Sequence, residues 1–513
     1  MAIITRREFF STGAKWIALA SVPSVFNLDP ARLLAGPVGL GTADEYMALF
    51  GVDEVTLRKV MDAALSRGGE YCDLYFQHTI ANWVGLQDDA VNRAYSNLDL
   101  GVGIRVLKGD QTGFSYTEEV TEKAMLKAAG TAAAIASGGI GAKSVALEYA
   151  PTPDYYSIDQ LWENVGIDQK IPFIEELNQR LHDKDSRIIK TRVWYGDEAS
   201  RVMIVNSEGR LVCDYRPMAQ VSASCTAEQG SKREECYYSL AAREGVSHFN
   251  TKNMNEVADE AVRRTVTLLD AVKPSAGEME VVLAAGSSGI LLHEAIGHGM
   301  EADFNRKNES IYSDSIGKLI AEPMVAIVDD GTWHSARGAL NFDDEGTVTE
   351  KTYLVRDGIL ETYMHDRISS KHYGVPMTGN GRRQSFRFAP IPRMRCTYME
   401  AGPNTKEEII QSVKKGIYCE SFTNGEVRIG PGDFTFYVKT GNLIENGKLT
   451  RPIKDANIIG NGPEVLRRVV MVGNDMELSY GGGMCGKGGQ GVPVSMGLPT
   501  AKVSAITVGG VSS

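Results

Sequence analysis

With 513 residues, 43% of them hydrophobic, the chain is long enough to bury a large core and to divide into two or three domains. A net charge of −11 and a pI near 5.4 disfavour a phosphate-backbone binder, whose affinity needs clustered Lys and Arg, so no nucleic-acid partner is expected. The seven Cys, at 72, 213, 225, 236, 396, 419 and 485, include no C-x-x-C pair and do not make a disulfide framework. No stretch approaches the roughly eighteen apolar residues that span a bilayer, so no stable membrane insertion is expected.

Residues 1–35 read apart from the rest. Thr5-Arg6-Arg7-Glu8-Phe9-Phe10 resembles the signal of the twin-arginine export route; Lys15, a short apolar run over 16–26 and small residues over 31–35 follow it. Export to the periplasm is the expectation, with a cytoplasmic location as the alternative.

After a Gly/Pro-containing linker at 36–41, residues 46–272 read as an α+β domain. Leu57, Val60, Met61 and Ala64 recur at helical spacing until Gly68-Gly69. Cys72, Leu74 and Phe76 alternate with Asp73, Tyr75 and Gln77, the pattern of a half-buried strand, and Val102, Ile104 and Val106 alternate likewise before the turn Lys108-Gly109-Asp110. A third strand then runs through Phe114 and Tyr116, and residues 121–137 are Ala-rich and helical. Strand-like runs lie at 192–194, 202–205 and 211–215, the last two joined by a turn at 206–209. Two helices flank them. One carries the stripe Phe173, Ile174, Leu177 and Leu181, with Pro172 near its start; the other opens on a capping box, Asn253-Met-Asn-Glu256, and runs to Asp270.

The break at Lys273-Pro274-Ser275-Ala276-Gly277 separates a second domain, 275–513. It opens with an apolar strand at 279–285, a loop at 286–289 and a helix beginning near Ile290. Beyond that it turns β-rich: a strand at 324–328 ends at Asp329-Asp330-Gly331, and hairpin turns stand at Asp357-Gly358 and Asn446-Gly447.

That one helix carries Leu292-His293-Glu294-Ala295-Ile296-Gly297-His298-Gly299, in a chain with only eight His. Zinc proteases of the familiar kind place two His four apart with Glu as the base. Here they are five apart, and at about 100° per residue a regular α-helix would turn the second ring roughly 140° from the first. A one-residue widening of the turn, a π-bulge, would realign them, and Gly297 and Gly299 leave the backbone free to distort. The motif alone leaves open that His293 and His298 are ordinary helix residues beside an acid.

Near the C-terminus, Gly481-Gly-Gly-Met-Cys485-Gly-Lys-Gly-Gly-Gln-Gly491 half-matches two phosphate-binding patterns. Both fail on context, because Gly488 stands where a P-loop needs Ser or Thr and no helix follows. A Cys among glycines can instead be delivered by tightly folded backbone to a metal held elsewhere, though a buried structural thiol is the alternative. His293, His298 and Cys485 would give the three protein ligands of a catalytic zinc, with water fourth and Glu294 as the base.

With both ends of that site in view, the chain resembles the TldD/PmbA family, on the TldD side. The likeness rests on His293-Glu-Ala-Ile-Gly-His-Gly-Met-Glu-Ala-Asp-Phe-Asn-Arg306, Asp343-Asp-Glu-Gly-Thr347, Gly379-Asn-Gly-Arg-Arg383, Ile459-Gly-Asn-Gly-Pro463, Met484-Cys-Gly-Lys-Gly-Gly-Gln-Gly491 and Gly101-Val-Gly-Ile-Arg105. The resemblance implies a zinc metallopeptidase domain carrying the HExxxH helix, with His293, His298 and Cys485 on the ion and Glu294 as base. It also implies peptide or unfolded-polypeptide substrates laid as an added strand in an enclosed channel. A PmbA/TldE-like partner subunit would complete a heterodimer, with a homodimer as the alternative. His365, Arg382 and Arg383 are candidates for stabilising the oxyanion. The rival reading is a non-catalytic peptide-binding chaperone or modulator with a structural zinc, which would require a fourth protein ligand.

Overall fold

The computed structural model of the chain describes residues 42–479, 481 and 483–510; the segment 1–35 read as an export signal lies outside the described residues. Helices α1 (Ala43–Phe50) and α2 (Glu54–Leu65) each start on a side-chain cap, Thr42 in a reciprocal box with Glu45 and Asp53 accepting the Thr56 amide. The stripe Leu57, Val60, Met61 and Ala64 is fully buried.

One antiparallel sheet organises the N-terminal half. It runs through β1 (Tyr71–Gln87), β2 (Ala90–Lys108), β3 (Gln111–Thr117), β5 (Ile188–Asn206), β6 (Arg210–Gln229) and β7 (Lys232–Ala242) in the order β3-β2-β1-β5-β6-β7, with the short β4 (Glu148–Tyr149) parallel to β6. Cys72, Leu74 and Phe76 at one end of β1 pack under α1, α2 and α3 (Glu122–Ile135), whereas Val84 and Leu86 at its other end pack under α4 (Ile167–Lys184) and α5 (Thr251–Leu268). Those five residues share one parity, so both helix groups sit on the same face of the sheet.

Four expectations are corrected here. The strand read as half-buried is buried on both faces at its start, because Tyr75 packs with Phe342 and Phe386 of the C-terminal half, beyond the reach of a local pattern. The runs at 192–194 and 202–205 are one strand of 19 residues, β5. Pro172 lies inside α4, which begins five residues earlier than the proline suggested. Helix α5 is capped by Asn250, whose side chain accepts the Asn253 amide at 3.0 Å, so Asn253 is a helical residue and not the cap.

In the C-terminal half, β8 (Gly277–Leu283) pairs with Lys415–Arg428, and pairing continues through Asp433–Glu445, Ala456–Asn461 and Ala501–Gly509 back to β8. Five strands thus close on themselves, which removes unpaired edges. A mixed sheet beside them holds Ile327–Asp330 between Lys351–Arg356 and Cys396–Met399. Asp329, read as the start of a turn, is instead inside that strand and fully buried, its carboxylate accepting from Arg395, Thr397 and Asn380 at 2.7 Å each. The two halves are locked by buried ion pairs: Asp73 on β1 holds Arg105 and Arg383, and Arg105 also reaches Glu345 at 2.7 Å. Desolvation offsets most of the attraction in such pairs, so we assign them to fixing the register of the halves more than to stabilising either.

Candidate metal centre

From β8 the chain enters α6 (Gly289–Leu292), a single turn whose continuation, His293–Gly297, is a π-helical turn. The amide of His298 bonds to the carbonyl of His293, five residues back. The widened turn expected from the five-residue spacing is therefore present, and it brings the two imidazoles together with centroids 5.1 Å apart and planes at 81°. Leu291, Leu292, Ala295 and Ile296 pack into the core that the closed strands supply.

The glycines serve a different purpose from the one expected. Gly297 has ordinary helical angles (φ −58°, ψ −49°), so freedom to distort is not what the position requires. A Cβ on it would lie 2.2 Å from Met394 Sδ, and one on Gly299 would lie 2.7 Å from the Tyr312 ring. Close packing of neighbours against the bulge excludes a side chain there.

Cys485 arrives from the other end of the sequence on β9 (Met484–Lys487), paired with β10 (Gln490–Pro493). Gly488 and Gly489 between them both have positive φ, 58° and 74°, as a two-residue type I′ hairpin needs. The glycine cluster is thus a hairpin and not a phosphate loop. Arg393 donates to the Cys485 carbonyl and Arg382 to that of Pro493 (2.8 Å), clamping both strands.

His293, His298 and Cys485 come together with ligand atoms all within 4.8 Å of one another, the one such cluster among the described residues. Cys485 Sγ lies 3.4 Å from His298 Nε2. Tetrahedral zinc with bonds of about 2.0–2.1 Å to nitrogen and 2.3 Å to sulfur sets such atoms about 3.5 Å apart, so the spacing fits. His293 Nδ1 is buried without a hydrogen-bond partner. Burial works against a thiolate at Cys485, but the two imidazoles outweigh it and bring the thiol down to about 5, the anionic state a metal ligand needs. Glu294 is not buried like these three: its side chain keeps 27% of its exposure and its carboxylate lies 3.8 Å from His298 Nε2.

Residues that the pattern did not single out support the site. Glu301, fully buried, accepts from His298 Nδ1 at 2.9 Å, which leaves Nε2 free toward the cluster. Lys487 in turn donates to Glu301 (3.1 Å) and Asp303 (2.6 Å). Burial opposes charge on Glu301, yet Lys487, His298 and Arg393 hold its carboxyl at about 2. The His298-x-x-Glu301 spacing was readable as a helix neighbour; Arg393 and Lys487 left no such signal, since both arrive through tertiary folding.

Each of the three oxyanion candidates has partners of its own. Arg383 is held by Asp73 and the Asp344 carbonyl, and Arg382 by the carbonyls of Met394 and Pro493. His365 is buried between the rings of Tyr363 and Tyr373, and burial lowers it to about 4, so it is neutral.

Three domain patterns match the chain: PmbA/TldA metallopeptidase domain 1 over residues 72–136, the central domain over 161–269 and the C-terminal domain over 276–510. The chain belongs to the PmbA/TldD metallopeptidase family. Among its relatives, the metalloprotease TldD homolog of Haemophilus influenzae is 39% identical over 464 residues, 89% of this chain and 96% of that one. The zinc metalloprotease TldD homolog of Saccharolobus solfataricus is 30% identical over 454 residues, 88% of this chain and 99% of that one. The fold is shared with TldE of Thermococcus kodakarensis (TM-score 0.70, 16% identity, 89% of this chain and all of that one). It is shared also with a Thermotoga maritima protein named as a candidate modulator of a DNA gyrase (TM-score 0.73, 19% identity, 89% of this chain and all of that one). No helix among the described residues of this family member is long and apolar enough to cross a membrane.

Proposed function

We propose that the chain is a zinc-dependent peptidase that hydrolyses peptide bonds in short or unfolded polypeptides. The observation that carries this reading is the meeting of two imidazoles and one thiolate from opposite ends of the C-terminal half, with the partly exposed Glu294 carboxylate 3.8 Å from His298 and no fourth His, Cys, Asp or Glu joining the cluster among the described residues. A structural zinc would be closed by a fourth ligand, which disfavours the non-catalytic chaperone or modulator reading. His293, His298 and Cys485 would hold the ion, which when bound would polarise a peptide carbonyl and acidify water.

The chain's own residues supply the rest. Glu294, exposed enough to meet substrate, takes the proton of the attacking water and returns it to the departing amine. Glu301 keeps the proton of His298 on Nδ1, so that Nε2 stays a donor to the metal. The likeness to TldE supports a TldE-like partner subunit, and the sequence at 5–10 supports export by the twin-arginine route, with a cytoplasmic location as the alternative.

Two variants test the reading. Glu294→Gln is expected to keep its zinc, measured by plasma mass spectrometry, and to lose cleavage of an unfolded test peptide by at least about a hundredfold. Cys485→Ala is expected to lose the zinc itself. Wild-type cleavage by the first, or unchanged metal content in the second, would remove the assigned role.

A further inference from the structure

Most fully buried arginines of this chain hold a carboxylate. Arg105 pairs with Asp73 and Glu345, Arg216 with Asp214 and Asp344, and Arg395 with Asp329. Arg382 and Arg393 hold main-chain carbonyls instead; Arg243 and Arg337, only 4% and 6% exposed, hold no carboxylate. Among the described residues neither forms an ion pair, and their hydrogen bonds are poor. Arg243 reaches the Pro217 carbonyl at 3.4 Å and leaves its Nε buried without a partner. Arg337 makes one good bond, to the Gly483 carbonyl at 3.0 Å; its other two contacts are an amide oxygen of Gln220 at 3.4 Å and the Met484 sulfur at 3.4 Å. A guanidinium has five N–H donors, and burying it without a counter-charge is costly. Glu198 is the nearby acid: burial pushes its carboxyl up and Arg243, Arg337 and Arg216 pull it down, but it forms no ion pair with Arg243 or Arg337.

Gly483 and Met484 are the residues just before Cys485, so Arg337 touches the strand that carries the thiolate. Its other end meets Gln220, on the one face of β6 that stays open: Gln220, Ser222 and Ser224 are half-buried while Ala219, Val221 and Ala223 between them are closed off. Three partly exposed polar side chains thus line this face of β6, and Arg337 links it to the strand that carries Cys485.

We propose that Arg337, with Arg243 beside it, receives a carboxylate of the peptide substrate lying along the Gln220–Ser222 face of β6, and so selects peptides bearing that anion close to the bond cleaved. The inference rests on the peptidase reading and adds a substrate class to it. A planar carboxylate takes two parallel N–H donors from a guanidinium, a match that neither the thioether nor the distant amide supplies. Because Arg337 holds the strand that carries Cys485, the carboxylate is expected within a few residues of the bond cut. The anion is either the C-terminal carboxylate or an Asp or Glu side chain, and the two are separable by experiment.

The test compares one unfolded peptide in four forms: free acid or C-terminal amide, each with a single Glu or Gln near its end. With the zinc-loaded wild-type protein, one change of acid to amide is expected to lower kcat/KM about tenfold or more, the loss of a charge-assisted bond; which change does so names the source. Arg337→Gln is expected to erase that preference, bringing the ratio of acid to amide kcat/KM to about one whatever its effect on the absolute rates. Binding of the same fluorescent peptides to Glu294→Gln, read by anisotropy, gives the preference without turnover. If wild type cleaves nothing but the anisotropy still favours the acid, the carboxylate site stands and the peptidase reading fails. Equal cleavage and equal binding of all four forms by the wild type would overturn the proposal, as would an equal loss on every form in Arg337→Gln.

Discussion

Replacing Glu301 by Gln isolates the support behind His298. The carboxylate is completely buried, 2.9 Å from His298 Nδ1 and 3.1 Å from Lys487 Nζ. Burial alone would favour its neutral form, but Lys487, His298 and Arg393 hold it at about 2, against 4.5 for a free Glu. At about 1.4 kcal/mol per tenfold in acidity, the charged form is favoured by about 3 kcal/mol. Gln keeps the shape and loses that charge. Because the folded pKa lies below the unfolded one, the contribution is present above about 4.5 and is lost as pH falls toward about 2. Glu301→Gln should therefore lower the metal-free protein's stability at pH 7 by about 3 kcal/mol, read from urea unfolding, with the difference shrinking below pH 4.5. The amide also no longer fixes the imidazole proton on Nδ1, so zinc affinity should fall roughly 10- to 100-fold, read by competition with a chromophoric chelator. An unchanged urea midpoint together with zinc affinity within about twofold of wild type would refute the argument, since both effects descend from one buried charge.

Two more outcomes follow from the packing. His78 and His365 are both buried, and burial lowers each to about 4. The unfolded chain takes up these protons first as pH falls through about 6.5, so each should remove about 2 kcal/mol of stability between pH 7 and pH 5, levelling off below about 4; His365→Gln should flatten its share of that slope in urea unfolding. At Gly297, an alanine methyl would lie 2.2 Å from Met394 Sδ, so Gly297→Ala should destabilise by about 1–3 kcal/mol. Met394→Ala in the same chain should restore part of the loss, and a fully stable Gly297→Ala would show that the neighbours yield freely.

Sequence by itself determined the local parts: the stripe of α2, the strands β1 to β3, and above all the five-residue spacing of His293 and His298. That spacing is incompatible with a shared face of an α-helix and so required the π turn. These features are legible because they depend on residues within a few positions of one another. Tertiary structure alone decided the rest. Nothing near Cys485 in the sequence marks Arg393 as its clamp or Lys487 as the anchor of Glu301. The pattern at Tyr75 suggested open surface, because the C-terminal half that covers it lies some 270 residues away. Gly297 was read as backbone freedom but is required by Met394, a neighbour only in space. Period and spacing encode what a segment does with its own backbone, whereas the charges and shapes brought against it are set only when distant strands close around the site.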